Sequence, residues 1–313
     1  MKSIVKMVAV VAAALTVTSG AALADYPEKP IKLIVPAGAG GDTDFNARMM
    51  SKYLEQELGV PLPVVNMPGA AGTIGAREVL NSKPDGYTAL FYHGAMQVSA
   101  ASGMSEFSWK DFELAAIAGQ ETGSMLVVPA DAKWQSLDEL IEDARANPGA
   151  IDLTANIGAT TYLIAKLLQA EGAEFNLVDV GGASARLKAV LGGNVAVSQN
   201  PYAQVRDYLA AGELRALATV TDERIAAAPD VPTAKELGYD VAFQFNYFIL
   251  FPKDTPAEIV DRFGAAVEAV ASNPEYAAEI QAQYAQTAVA MTGDKAKARL
   301  GELDEVIGGV DLN

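Results

Sequence analysis

Residues 31–59 contain the feature that most limits what this chain can fold into. A short run rich in β-branched residues, Ile31–Val35, ends in a loop of Pro, Ala and Gly. A helical pattern follows, with Phe45, Met49, Tyr53, Leu54 and Leu58 at helical spacing up to Gly59. A continuous apolar strand has no face for water, so it belongs inside a parallel sheet covered by helices. The strand–loop–helix unit recurs along the chain, which predicts a parallel-rich α/β protein.

Val64–Val65 begins a second strand, 72–82 a second helix, and KPDG at 83–86 a turn before the strand Thr88–Tyr92. Leu114–Ala118 and Met125–Val128 read as strands separated by GQETG, a crossing between lobes. Ser136-Leu-Asp-Glu139 is a capping box for a helix ending near Ala146. Strands are then expected at Ile151–Ala155, Phe175–Val180, Val195–Ser198 and Leu214–Val220, with helices at 159–171, 184–191 and 202–211 between them. Val241–Phe251 is a long apolar strand that crosses back, and helices at 256–271, 275–285 and 294–306 finish the chain. This pattern divides the protein into a first lobe, 25–122 plus 246–313, and a second lobe, 123–245. In such sheets ligands bind where the strand-end loops gather.

Residues 1–24 carry Lys2 and Lys6, an apolar run and an Ala22-Leu23-Ala24 ending, the pattern of a cleaved secretory signal peptide. Cleavage would leave 289 residues starting at Asp25. The chain has no cysteine, hence no disulfide and no lipid attachment site, and a freely diffusing periplasmic protein without a direct membrane anchor is expected. The formal net charge is −16; without Lys2 and Lys6, 21 basic residues face 39 acidic ones, a net of −18. Such a surface excludes nucleic acid and anionic membrane as partners. Any anion must be won locally, by oriented backbone dipoles.

Two Gly-rich loops in the first lobe have that design. The first offers Ala37, Gly38, Ala39, Gly41, Asp42, Thr43 and Asp44, and the second offers Ala70, Ala71, Gly72 and Thr73. Glycine lets backbone approach a ligand closely, and each loop feeds a helix N-terminus. Asp42 or Thr43 would otherwise serve as an ordinary helix cap, and Asp42 and Asp44 are expected to cap the helix and hold the loop rather than act as acid and base. Neither loop is a GxxxxGK[ST] phosphate loop, and Thr43 stands where a dinucleotide fingerprint needs its third glycine, so a carboxylate or small oxyanion is the expected guest. Asn156, Ala159, Thr160 and Thr161 in a third loop, Gly182 and Ala183 in a fourth, and Asn200 at a further strand end would face the first pair across a cleft. His93, the only histidine, either bonds the ligand at the cleft or bonds nearby backbone. It lacks the partners that a catalytic base or a zinc site would need, no nucleophile motif is present, and no enzyme, metal or cofactor is expected. Phe243, Phe245, Tyr247 and Phe248 alternate like a core strand, with Phe245 or Tyr247 reaching the cleft.

Taken in order, YPEKPIKLIVPAGAGGDTDFNAR, VVNMPGAAGTIGAREV, KPDGYTALFY, VDVGGASARLKAVLGGNVAV, LRALATV and VPTAKELGYD resemble the substrate-binding proteins of tripartite tricarboxylate transporters, also called Bug receptors. The resemblance implies a type II periplasmic-binding-protein fold, two α/β lobes with a ligand cleft between them, usually monomeric. It implies that Pro36–Asp44 and Ala70–Thr73 hold one ligand carboxylate by backbone amides and ordered water, while Asn156–Thr161 and Gly181–Ser184 set selectivity. It also implies delivery to TctA/TctB-type membrane subunits, usually driven by an ion gradient. A protein presenting the ligand to a membrane sensor kinase would need the same cleft. Two stretches depart from the family: NIGATTYL has Tyr162 near a common His, and Val180-Gly181-Gly182 replaces a common Tyr-Lys-Gly. The expected ligand is therefore a mono- or dicarboxylate whose distal group is neutral or held by amides and hydroxyls.

Overall fold

The protein is described here from a computed structural model, which covers residues 26–312. The signal-peptide reading falls on 1–24 and lies outside the described residues.

Among the described residues, ten strands and ten α-helices form two α/β lobes. The first lobe is built on β1 (Lys32–Val35), β2 (Val64–Asn66), β3 (Thr88–His93) and β4 (Phe112–Gln120), with helices α1 (Asp42–Leu58), α2 (Thr73–Leu80) and α3 (Ala95–Ala101) between them. The second uses β5 (Ser124–Pro129), β6 (Asp152–Thr154), β7 (Asn176–Val178), β8 (Ser198–Pro201) and β9 (Leu214–Thr219), alternating with α4 (Leu137–Ala146), α5 (Thr160–Ala170), α6 (Ala183–Leu191) and α7 (Tyr202–Ala210). The chain then returns to the first lobe as β10 (Asn246–Pro252), followed by α8 (Ala257–Ala271), α9 (Pro274–Tyr284) and α10 (Gly293–Gly308).

The first sheet has the order β2-β1-β3-β10-β4. Its neighbours β2, β1 and β3 are parallel, and β10 runs antiparallel between β3 and β4. In the second lobe β6 pairs in parallel with β7, a bridge from Leu153 to Val197 ties β6 to the lead-in of β8, and β5 runs antiparallel between β8 and β9. The order there is β7-β6-β8-β5-β9, so the two lobes share one topology. In each, the antiparallel strand arrives from the other lobe. Leu33, Ile34 and Val35 are fully buried, as a strand packed on both faces requires, and every residue of β10 is buried.

Two local expectations fail for physical reasons, and one helix leaves no signal in the sequence. Val195–Val197 contributes only a bridge, and the paired strand is Ser198–Pro201, whose polar side chains are buried and bonded among themselves and to Thr154 and Thr161; hydropathy cannot find such a strand. Residues 241–245 are no part of a ladder. Phe243 and Phe245 are buried because the chain crosses between lobes there, which imitates strand alternation. Helix α3 has no sequence signature because AMQVSAA has little periodicity.

Candidate functional site

A cleft of about 550 Å³ lies between the lobes. Ala37, Gly38, Ala39, Gly41, Asp42 and Thr43 line it from the first loop, Ala70, Ala71 and Gly72 from the second, and His93 from the end of β3. Asn156, Ala159, Thr160 and Thr161 line the opposite wall with Gly182 and Ala183. Asp44, Thr73 and Asn200 do not reach it. The Asp44 carboxylate accepts from the Gly40 N–H at 2.9 Å, from Arg48 Nε at 3.1 Å and from Asn66 Nδ2 at 2.9 Å, so it pins the first loop from behind. Burial works against its charge, but the bonds from Arg48, Gly40 and Asn66 win and hold the carboxyl below the ordinary range. Thr73 turns its hydroxyl onto the Ala70 carbonyl, and fully buried Asn200 donates to the Ala183 carbonyl, fixing the start of α6.

The helices that begin at the cleft are not capped by side chains. α1 starts after Gly41, α5 after Ala159 and α6 after Gly182, each without a side-chain cap bond. Away from the cleft, Ser136 caps α4 and Asn273 caps α9, while α8 and α10 also start without a side-chain cap bond. First-turn N–H groups have no partner within their own helix, so these three ends offer donors and positive dipole ends to the cleft. The expected cap by Asp42 or Thr43 is thus corrected. Both stand inside the first turn, beyond the N-cap position, which Gly41 occupies.

The second loop is strained. Gly69, Ala70, Ala71 and Gly72 have φ of 126°, 45°, 49° and 88° in succession. The left-handed region costs a residue with a Cβ about 1–2 kcal/mol. Tyr92 Oη holds the strained segment by donating to the Ala71 carbonyl at 2.8 Å. A Cβ on Gly72 would run into the Tyr92 ring, so only glycine fits there.

The charges of the cleft come mainly from residues that the sequence pattern did not single out. Half-buried Arg186, on α6, donates Nε to the Gln199 carbonyl at 2.8 Å and also faces the Gly181 carbonyl at 3.4 Å. Glu121, on the crossing from β4 to β5, is buried and accepts from Ser124 Oγ at 2.6 Å. Burial pushes its carboxyl up to about 8, with the Asp42 charge adding to the effect. Burial likewise raises Asp42 to about 7, although a bond from Tyr284 and the charge of Arg186 oppose the shift. His93 is pushed down to about 3 by burial and then by Arg186, so its ring is neutral. Its Nδ1 accepts from the Ala95 N–H at 3.2 Å, which leaves the proton on Nε2, and the ring stacks on Phe245 at 4.4 Å. The lobes touch at the cleft rim. Ser184 Oγ donates to the Gly40 carbonyl at 2.6 Å, and Ser99 Oγ to the Gly158 carbonyl at 2.7 Å.

Residues 46–299 match the family model described as the tripartite tricarboxylate transporter family receptor. This chain belongs to that family. The receptor is similar to protein BugT of Bordetella pertussis, 34% identical over 242 residues, covering 75% of this chain and 74% of BugT. It is similar in structure to the periplasmic binding protein BugD, with a TM-score of 0.80 at 26% identity over 91% of this chain and 99% of that one. MatC from Rhodopseudomonas palustris with bound malate shares the fold at a TM-score of 0.78 and 24% identity, over 91% and 98% of the two chains. The receptor's Gly-rich loops were legible from sequence. Arg186 and Glu121 were not: Arg186 reads as one cation on an amphipathic helix, and Glu121 as part of a connecting segment. Lys188 also lines the cleft, so its distal side is not free of basic side chains, as the loss of the Tyr-Lys-Gly pattern had led one to expect.

Proposed function

We propose that this receptor captures a small organic carboxylate in the periplasm and delivers it to TctA/TctB-type membrane subunits. The observation that carries the reading is the convergence of three uncapped helix N-termini and a strained Gly-rich loop on one cleft between two lobes. Backbone N–H groups and helix dipoles hold a carboxylate without a permanent cation, which suits a protein of strongly negative net charge. MatC, with the same fold, holds malate.

The working cycle is lobe closure about the two crossings, 121–123 and 241–245, with lobes of 25–122 plus 246–313 and 123–245. A ligand touching both walls favours the closed state by the contacts it makes only there. Asp42, Thr43 and the loop amides from Ala37 to Gly41 and Ala70 to Gly72 form the first wall, and Asn156, Ala159, Thr160, Thr161, Gly182 and Ala183 form the second. Asp44 and Asn200 support the walls from behind.

A thermal-shift screen of residues 25–313 against mono-, di- and tricarboxylates tests this. At about 100 times its dissociation constant a ligand adds roughly 2.7 kcal/mol, a shift of several degrees. Absence of a shift with every carboxylate, in protein first freed of carried-over ligand, refutes the reading. Loss of uptake of the identified acid on deletion of the receptor tests delivery.

A further inference from the structure

Ser99, on α3, carries one hydroxyl proton and faces two acceptors that belong to different lobes. Its Oγ donates to the Gly158 carbonyl of the second lobe at 2.7 Å and lies 3.3 Å from the Ala71 carbonyl of the first. Ser99 is 1% exposed and does not line the cleft. A buried hydroxyl that loses its acceptor is costly, but this one has a second acceptor on its own lobe. The other rim contact is built differently. Half-buried Ser184 is bonded to the Gly40 carbonyl alone among the described residues, so on separation it must turn to solvent.

Helix α3 is placed for such an exchange. It starts after Gly94, where a Cβ would strike Phe245 of the crossing between lobes. Ser99 lies about 7.5 Å farther along the helix, at a rise of 1.5 Å per residue. Rotation of the second lobe about the crossing carries Gly158 away, while Ala71, in the same lobe as Ser99, stays in place. Met104, just past the end of α3, completes the contact. Its Sδ stands 2.4 Å from where a Cβ on residue 158 would be, so the thioether seats itself on bare glycine backbone. Gly158 also has a φ of 79°, which favours glycine a second time.

We propose that Ser99 is the latch of lobe closure, a positioning residue that exchanges its acceptor between the lobes without touching the ligand. In the open receptor its hydroxyl donates to Ala71. That carbonyl then has two donors, Ser99 and Tyr92, which hold the strained second loop in shape before a ligand arrives. In the closed receptor the hydroxyl rotates to Gly158, Tyr92 alone keeps the loop, and Met104 covers the joint. Opening therefore trades one buried bond for another instead of losing it. Without the Ser99 hydroxyl the balance shifts. The open state still has Tyr92 on Ala71, while the closed state leaves the carbonyl of buried Gly158 without its donor. The inference rests on lobe closure in the receptor reading above and names the contact that sets its equilibrium.

The experiment measures the distance between the lobes. The chain has no cysteine, so Glu106→Cys in the first lobe and Gln169→Cys in the second, both at exposed positions, take spin labels at two defined places. Double electron–electron resonance is recorded on residues 25–313, cleared of carried-over ligand, alone and with each mono-, di- and tricarboxylate of the thermal-shift screen. A short-distance population is expected to grow with any acid that binds. Ser99→Ala should shrink that population at a fixed, subsaturating concentration of acid. It should weaken every binding acid by the same factor, about tenfold, nearly all of it as faster release. Met104→Ala, at a position exposed enough to leave folding intact, should act in the same direction by a smaller factor, so the test survives if Ser99→Ala does not fold. A lower melting temperature of Ser99→Ala with distances and release rates unchanged marks a merely structural residue and overturns the latch. A changed order of preference among the acids also overturns it, because a latch does not read the ligand; both results leave the receptor reading standing. If no acid shifts the distances in the protein with Ser99 and Met104 intact, latch and receptor reading fall together.

Discussion

The two lobes have the same strand order and meet the same cleft, yet they furnish it differently. The first lobe offers mainly backbone, Ala37 to Gly41 and the left-handed run Gly69–Gly72, with the carboxyls of Asp42 and Glu121 beside it. The second offers side chains, Arg186 and Lys188 on α6, Thr160 and Thr161 at the start of α5, and Asn156 in the loop before it. Backbone donors recognise a carboxylate whatever it is attached to, while side chains at chosen positions read the remainder. One topology can thus separate generic capture from selectivity by lobe.

The largest expected break falls on the backbone wall. Gly72→Val forces a Cβ into Tyr92 at a φ of 88° and should cost about 2–4 kcal/mol of stability while abolishing binding, read by thermal melting and calorimetry. Next is Arg186→Ala on the side-chain wall. It removes the donor to the buried Gln199 carbonyl, so it should lower the melting temperature of the empty protein by a few degrees, and it should weaken the ligand about 10- to 100-fold, as expected for a charge-assisted bond. If Arg186→Ala weakened every acid equally, the division between capture and selectivity would fail. Asp44→Ala removes the pin behind the first loop and should cost about 1–3 kcal/mol. Asp44 also carries a pH signature. Its carboxyl is lowered in the folded state, so its stabilisation is present above the ordinary carboxylate range and lost as pH falls through its folded value; Asp44→Asn should remove that loss.

Asp42 and Glu121 run the other way. Their folded values, about 7 and about 8, lie above the ordinary carboxylate range, so the native state keeps protons that the unfolded chain gives up. The ligand-free protein should lose stability as pH rises from about 4 to about 8, and Asp42→Asn with Glu121→Gln should flatten that slope in melts recorded across pH. The smallest effect is expected from Ser184→Ala, which removes the bond to the Gly40 carbonyl across the cleft and should speed ligand release several-fold.

What could be read without coordinates follows the same division. The first strand, its loop and the helix after it were legible because a buried parallel strand and a glycine-rich turn leave marks at adjacent positions: Ile31–Val35, then Gly38, Gly40 and Gly41. Most of the cleft-lining stretch was legible with them. Asp42 was legible as a cleft residue, but its cap role was not real: an Asp beside a helix start resembles a cap, and only the backbone shows that Gly41 occupies the cap position. Arg186 and Glu121 stayed hidden because their meaning comes from the opposite wall, far away in sequence. Ser198–Pro201 stayed hidden because its burial is secured by hydrogen bonds rather than by apolar side chains.

The exchange of strands has one further consequence. β10 is the inner partner of both β3 and β4, and it reaches the first lobe only after the whole second lobe has been built; β5 fills the same place between β8 and β9. A fragment stopped at residue 122 would expose two facing strand edges with nothing between them, and a fragment of the second lobe without β5 would do the same. Ribosomal synthesis must therefore hold an incomplete first sheet until more than half of the remaining chain has emerged. The finished molecule has no half that can be expressed by itself, and it should melt in a single transition despite its two lobes.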